Sequence, residues 1–370
     1  MLTLFLFLGI VYGSFMVMLR LVWGKSKQVD RMQVIDSHVS LLIPFRNEMD
    51  NLRLLFDSIE RLTIKPMEVI WIDDHSDDGS MVMLADMIKE GKSTYQHILL
   101  SADVEGKKAA LEKGVKMATG DLIFTTDADC EVPSSWIKSM LIGFIDPKVM
   151  LVAGPVMNKP KAGYFDAFQQ LDWSSIILVS YTAIQMKSPL MCSGANLAYR
   201  KSAFLEVLGY EGNRSLMSGD DEFLLKKIAK RFGSQSIVYQ RSNSSLVVTH
   251  SHEDWDSMLA QRVRWASKWR GHDFIHGLFS LLPFTFQLYW MATVILPFLY
   301  GFYGLFSWVF LWILKVVLEG KMLGNVCSYY DIRLSWKYRL LTSLIHPFYV
   351  MIVGIKSIRG RYKWKGRVSF

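Results

Sequence analysis

The chain has 370 residues and a formal net charge of +8, with 51% apolar and 21% charged residues. That apolar share excludes a disordered chain, which needs low hydrophobicity and high net charge. The three scattered cysteines, Cys130, Cys192 and Cys327, exclude a disulfide scaffold and a CxxC zinc site.

In chain order, Leu2–Leu19 carries no charged residue, and Arg20, Lys25, Lys27 and Arg31 come directly after it. An apolar run of that length is about enough to cross a bilayer core at ~1.5 Å per residue. The basic cluster comes after the run, opposite to a signal peptide, so residues 1–23 are expected to be an uncleaved anchor. The positive-inside rule then puts the chain beyond Arg20 in the cytoplasm.

Residues 35–270 read as a soluble α/β domain. Short apolar runs predict strands at 38–44, 68–73, 97–101 and 121–126, and helical spacing predicts helices at 51–62, 80–89 and 107–118. Strands alternating with helices imply a parallel sheet with helices on both faces. A further helix is expected over 164–181. Its polar residues Asp166, Gln169, Gln170 and Asp172, with Trp173, read as a surface face. Phe274–Leu314 holds no Asp, Glu, Lys or Arg, and Pro297, Gly301 and Gly304 near its middle suit a turn. Spans are expected at 278–298 and 301–319, with a third candidate at 340–355. With the anchor, three such spans would put the tail 356–370 outside. Yet Lys356, Arg359, Arg361, Lys363, Lys365 and Arg367 carry no neighbouring acid and belong on the cytoplasmic side, against anionic headgroups. Either 340–355 is re-entrant or interfacial, or the count is off by one. Basic residues at a membrane boundary account for the +8 without nucleic acid, for which no binding motif is present.

In open α/β sheets ligands bind beyond the carboxyl ends of the strands. There the chain has Arg46-Asn47-Glu48, Asp73-Asp74-His75-Ser76-Asp77-Asp78-Gly79-Ser80 and Asp127-Ala128-Asp129. Converging carboxylates suit a hard cation such as Mg²⁺ or Mn²⁺, which also bridges phosphates. Asp78 or Ser80 is placed to cap the following helix.

These pieces, together with Gly106-Lys107-Lys108-Ala-Ala-Leu111, Ser218-Gly219-Asp220-Asp221-Glu222 and Gln261-Arg-Val-Arg264-Trp265, stand in an order that closely resembles glycosyltransferase family 2. The resemblance covers roughly 38–270. It implies a GT-A nucleotide-sugar-binding, Rossmann-like domain flanked by an N-terminal transmembrane helix and C-terminal transmembrane helices. It also implies inverting transfer from a nucleotide-sugar donor, expected to be a UDP-sugar, at the plasma (inner) membrane. The acceptor would be a lipid, a lipid-linked sugar or a growing glycan. Single addition and processive synthesis both stay open, as does a nucleotide-binding scaffold without turnover. By the same resemblance Pro44, Glu48, Asp73 and Asp74 would hold the nucleoside and Lys107 the diphosphate. Asp129 would bind the metal, and Asp127 would support it and contact ribose or sugar. Gln261, Arg264 and Trp265 form the Q-x-x-R-W motif, Arg264 meeting the diphosphate and Trp265 the acceptor sugar. Asp220 matches the catalytic base by spacing. Gly219 stands where the family has Glu, so Asp221 remains an alternative. Asn196 is a candidate donor-sugar contact, and His250 and His252 read as loop histidines.

Overall fold

The computed structural model describes residues 2–24, 35–91, 93–214, 219–267, 284–358, 362–364 and 367–369. The basic residues Lys25, Lys27 and Arg31, Ser218, the start of the expected 278–298 span, and Arg359, Arg361 and Lys365 of the basic tail lie outside them. The described chain divides into two compact units. One comprises Lys27–Lys159 and Ser180–His250, the other Met1–Ser26, Pro160–Val179 and Ser251–Phe370.

The first unit is built on a seven-stranded sheet. β1 (Val39–Phe45), β2 (Glu68–Asp73), β3 (Gln96–Ser101) and β4 (Leu122–Thr125) run parallel, in the spatial order β3-β2-β1-β4. α2 (Leu52–Glu60), α3 (Ser80–Glu90) and α4 (Lys107–Met117) are the crossovers. β1, β2 and β4 are buried throughout, as near-continuous Val, Ile, Leu and Phe runs require of strands covered on both faces. Beyond β4 come β8 (Leu197–Arg200), antiparallel, then β6 (Leu151–Ala153) and β9 (Ile237–Tyr239). A smaller sheet joins β5 (Cys130–Glu131), β10 (Val247–Thr249) and β7 (Val156–Asn158). Strand order reverses between β1 and β4, and their ladder stops at Leu42–Thr125, before Pro44. The sheet therefore opens at its carboxyl edge between these two strands, the position where such folds hold ligands. α5 (Trp136–Leu141), α7 (Lys201–Glu206) and α8 (Asp220–Phe232) complete the unit.

The second unit is helical. Among the described residues, three helical runs are long and apolar enough to cross a membrane: α1 (Leu2–Gly24), the run Phe284–Tyr329, and α12 (Trp336–Ile358). The middle run comprises α10 (284–292), a short 3₁₀ turn and α11 (Leu296–Tyr329), and it is not one rod. Gly301 has φ 54° and ψ −130°, and the chain turns back there. Gly304 lies so close to Leu296 that a Cβ on it would collide with the Leu296 carbonyl oxygen. In a continuous helix those residues would be roughly 12 Å apart. Trp312 Nε1 donates to Thr293 Oγ1 at 3.0 Å across the same hairpin. The turn falls where Pro297, Gly301 and Gly304 suggest it, although the second arm runs well past residue 319. α12 is longer than the expected 340–355 and continues through Pro347.

Residues 164–179 of α6 (Tyr164–Gln185) and α9 (Trp255–Ala266) also belong to this unit. The expected surface face of α6 is buried instead, including Asp166, Gln169, Gln170, Asp172 and Trp173. Each acid has a partner that makes burial tolerable. Asp166 accepts from Ser251 Oγ (3.1 Å) and the Lys161 N–H (2.6 Å). Asp172 takes Arg262 in a fork, with Nε and Nη2 both at 2.7 Å. Phe168 packs with Met258, Val263, Tyr349 and Val353 into a small core. A short hairpin, β11 (Tyr362–Trp364) with β12 (Arg367–Ser369), comes after α12.

Candidate active site

The loops after β1 and β2 are laced together. Asn47 Nδ2 donates to Asp77 (2.7 Å), and the Asp77 N–H returns to Asn47 Oδ1 (3.0 Å). The Glu48 N–H reaches Ser80 Oγ (2.9 Å), and the Met49 N–H reaches Asp78 (3.1 Å). Asp78 also accepts the Ser80 N–H at 2.9 Å, so Asp78 is the residue that serves the start of α3. Asn47 and His75 adopt φ of 50° and 62°, backbone that non-glycine residues rarely take outside constrained loops.

The strand-end acids then divide by environment. Pro44 is buried in β1, and Glu48 accepts from Asn51 Nδ2 at 2.7 Å. Asp73 accepts the Ser76 N–H at 3.1 Å. Asp74 is buried and receives the Gly106 N–H at 2.8 Å, tying the end of β2 to the start of α4. Burial raises its pKa, and the Gly106 N–H, His75 and Arg46 offset only part of that.

Lys107 opens α4. Its Nζ lies 2.6 Å from Asp127 Oδ1 and 3.4 Å from Asp220 Oδ2. Burial by itself would lower its pKa. The carboxylates of Asp127, Asp220 and Asp221 outweigh that and hold the ammonium charged well above its ordinary range. Asp129 sits near Cys130 Sγ (3.5 Å) and Thr249 Oγ1 (3.4 Å). Burial pushes the Cys130 thiol up, helped by Asp129 and Asp127, so it is a protonated packing residue.

α8 begins at Asp220, after Gly219 with φ 84°. That left-handed backbone suits glycine and explains why a bulkier residue is missing at 219. Asp221 is engaged locally: its Oδ2 accepts the Gly194 N–H (3.0 Å) and its Oδ1 the Glu222 N–H (2.7 Å). Gly194 lies close against this cluster. A Cβ there would stand 3.1 Å from Asp220 Oδ2 and 3.3 Å from Lys107 Nζ. Asn196, by contrast, is no sugar contact. It is fully buried, donates to the Pro155 and Ser245 carbonyls (both 2.7 Å) and accepts from Trp136 Nε1 (2.9 Å), a structural role.

In the helical unit, Gln261, Arg264 and Trp265 lie on α9. Gln261 accepts from Arg262, and Trp265 packs edge-on against Trp173 with centroids 5.4 Å apart. Arg262, which motif reading passes over, is buried in the segment together with Val263. It is forked onto Asp172, and its guanidinium lies 4.3 Å from the Trp265 ring centre. Its partner Asp172 lies 90 residues away, so no local sequence signal pairs the two. His252 is held through its backbone, donating to Gln169 Oε1 (2.9 Å) and accepting from Gln169 Nε2 (3.1 Å), as a loop residue would be.

Among the described residues no group of three or more His, Cys, Asp or Glu gathers to hold a metal ion. The carboxylates of Asp127 and Asp129 are hard oxygen donors that fit Mg²⁺ or Mn²⁺ in part, leaving the other positions to phosphate oxygens and water.

The family model for glycosyl transferase family 2 matches residues 40–208, which include β1 to β4, Lys107 and the Asp127-x-Asp129 turn. Residues 40–208 are thus similar to a glycosyltransferase family 2 domain. The chain is 33% identical over 106 residues to an undecaprenyl-phosphate 4-deoxy-4-formamido-L-arabinose transferase of Yersinia enterocolitica, covering 28% of this chain and 32% of that protein. It is 25% identical over 240 residues to a poly-beta-1,6-N-acetyl-D-glucosamine synthase of Staphylococcus aureus, covering 64% of this chain and 55% of that one. The match thus spans a third to just over half the length of these relatives. The solved mannosyltransferase of Pyrobaculum calidifontis, in complex with GDP-Man and Mn²⁺, shares the fold: the TM-score is 0.61 at 16% identity, over 97% of this chain and 99% of that one.

Proposed function

We propose that the chain is a membrane-embedded, inverting glycosyltransferase that moves a sugar from a UDP-sugar to a lipid, a lipid-linked sugar or a glycan. The observation that carries this reading is Lys107 held between Asp127 and Asp220 at the carboxyl edge of the sheet. One cation cannot neutralise the acids around it. The excess negative charge therefore suits a divalent ion, which would in turn draw in a diphosphate.

On this reading Asp220 takes the proton of the acceptor hydroxyl. The hydroxyl oxygen attacks the anomeric carbon from the side opposite the diphosphate. The bond from that carbon to the phosphate oxygen breaks, and the nucleoside diphosphate leaves. Lys107 turns from the carboxylates toward the leaving diphosphate. Asp73, Asp74 and Glu48 hold the nucleoside, Arg264 meets the diphosphate, and Trp265 faces the acceptor sugar. Asp129, with Asp127, would hold Mg²⁺ or Mn²⁺, which would supply charge neutralisation to the leaving group. Asp220 is preferred over Asp221 as base because its spacing to the helix that follows matches the family's catalytic Asp.

The proposed layout is an anchor over 1–23, a cytoplasmic catalytic domain over 35–270, apolar helices over 274–355 and a basic tail over 356–370. The names of the two relatives specify a polyprenyl-phosphate and a polysaccharide product, both within the proposed acceptor class. We favour single addition, because the apolar helices among the described residues are few for a polymer channel.

The test is UDP release from membranes containing the full chain, with a panel of UDP-sugars and either Mn²⁺ or EDTA. One sugar should give metal-dependent release that Asp220→Asn and Asp129→Asn both abolish. Failure of every sugar, together with failure to bind UDP, would overturn the nucleotide reading. A ladder of repeated units in the product would establish a processive synthase instead.

A further inference from the structure

The contacts along α11 act as a ruler for the apolar helices. Phe286 of α10 packs edge-on against Tyr12 (centroids 5.2 Å), and the Tyr12 hydroxyl bonds Glu319. Residues 284–286 are therefore level with Glu319. Gly9 lies against Leu311, and Gly13 against Leu314 and Leu318, so α1 runs alongside α11 in the same direction.

α12 behaves differently. At its start, Trp336 and Arg339 cover Gly320, where a Cβ would stand 2.9 Å and 3.5 Å from their side chains. Near its end, Gly354 meets Phe284, whose ring lies 2.8 Å from where a Cβ would be. Trp336 and Gly354 are separated by roughly 27 Å of helix. Yet both touch the bundle at the level of Glu319 and Gly320. A helix antiparallel to α11 would by then have reached the hairpin tip near Phe302. α12 thus crosses the bundle steeply. It does so at the level where the exposed cations Arg20 and Lys321 mark the end of the apolar surface of α1 and α11.

Its outer face is a single stripe. Leu340, Leu344, Phe348, Ile352 and Ile355 are all exposed, at helical spacing, and Trp336 leads them. Thr342, Ser343, Tyr349, Val353 and Ser357 face inward. The ends carry exposed cations, Arg333 and Lys337 before the stripe and Lys356 after it. An exposed apolar stripe with cations at both ends matches the boundary between acyl chains and anionic headgroups.

We infer that α12 lies in the plane of the membrane surface, with this stripe sunk into a bilayer that contains anionic lipid. The chain then crosses the bilayer three times, through α1 and the two arms of the α10–α11 hairpin. The basic tail returns to the side of Arg20, which removes the parity conflict between the apolar segments and the tail. This rests on the membrane reading proposed above.

The test uses the full chain in vesicles of phosphatidylcholine and phosphatidylglycerol, in a Cys192→Ala background, since Cys130 and Cys327 are buried. Leu340→Cys, Leu344→Cys, Phe348→Cys, Ile352→Cys and Ile355→Cys carry spin labels whose depth is read from oxygen against nickel-chelate accessibility. Phe7→Cys, Val17→Cys, Phe306→Cys and Ile313→Cys serve as controls. The five α12 labels should share one shallow depth while the controls are graded. A depth that changes steadily by about 1.5 Å per residue along α12 would make it a span and overturn the inference. Water exposure of the α12 labels with graded controls would overturn it too. Water exposure of the controls would instead remove the membrane reading. Independently, Gly24→Cys and Ser369→Cys should react with an impermeant maleimide from the same face of oriented vesicles. Reaction from opposite faces would overturn the in-plane helix.

Discussion

Two lysines in this chain are paired with acids, and the difference between them is instructive. Lys107, at the sheet edge, faces Asp127 and Asp220, with Asp221 close by. Acids outnumber bases there, and the group is partly open to solvent. Lys315, in the helical unit, is fully buried and paired with Glu319 at 2.6 Å. It also donates to the Ser343 carbonyl at 2.8 Å, and Tyr12 bonds the same Glu319. That cluster is balanced, sealed and complete. An unbalanced, accessible cluster can take up a charged ligand. A balanced, buried one joins α1, α11 and α12.

The comparison breaks most sharply on activity. On the proposed mechanism, Asp220→Asn should lower turnover by about 10²–10⁴-fold, the usual worth of a general base. UDP binding by calorimetry should persist, and the unfolding temperature in detergent should hardly move. Glu319→Gln should do the reverse. It leaves Lys315 charged and unpaired in an apolar bundle, at a cost of about 3–5 kcal/mol. Thermal unfolding in detergent should record that loss, and pairing Glu319→Leu with Lys315→Met should recover much of it. A stable Glu319→Gln protein would show that the second cluster is not a structural joint.

The fold was legible in the sequence to a large degree. Apolar runs ending in polar turns marked β1 to β4 within a residue or two, because strands buried on both faces have little choice of composition. The hairpin at Gly301 was legible because Pro and Gly interrupt an uncharged tract. What escaped is polar burial. Asp172 and Arg262 are 90 residues apart in sequence, and neither announces the other; each reads alone as surface or ligand-binding. Asn196 looked like a sugar contact for the same reason, since its three partners come from three separate segments. Orientation of α12 was also beyond composition. An amphipathic stripe and a short span look alike until contacts at both ends of the helix are known.

Within α9 the two arginines sharpen the distinction between structure and chemistry. Arg262→Lys loses the fork onto Asp172 and should destabilise by roughly 1.5–3 kcal/mol, the value of hydrogen bonds to a charged group. Arg264→Lys should, on the proposed role, weaken donor use in the UDP-release assay. Equal stability losses from both would mean that Arg264 is structural as well.

The smallest expected effect concerns a carboxylate with no proposed chemistry. Glu68 is buried in β2 and accepts from Ser40 Oγ (2.5 Å), the Thr119 N–H (2.6 Å) and Thr119 Oγ1 (2.9 Å). Burial by itself would raise its pKa, but these donors outweigh burial and hold it below the ordinary carboxylate value. The folded state therefore releases this proton more readily than the unfolded chain. Its stabilising contribution is complete above the unfolded pKa and disappears as pH falls through the folded one. Glu68→Gln should cost about 1–3 kcal/mol at pH 7, and the difference from the parent chain should shrink as pH is lowered below about 4.5. Unfolding measured from pH 7 to pH 3.5 separates this from a packing defect, which would lower both ends of the profile equally. UDP release at pH 7 should be unaffected at temperatures below the transition, because Glu68 joins the amino end of β2 to the turn before β4, at the opposite end of the sheet from Asp127 and Asp220.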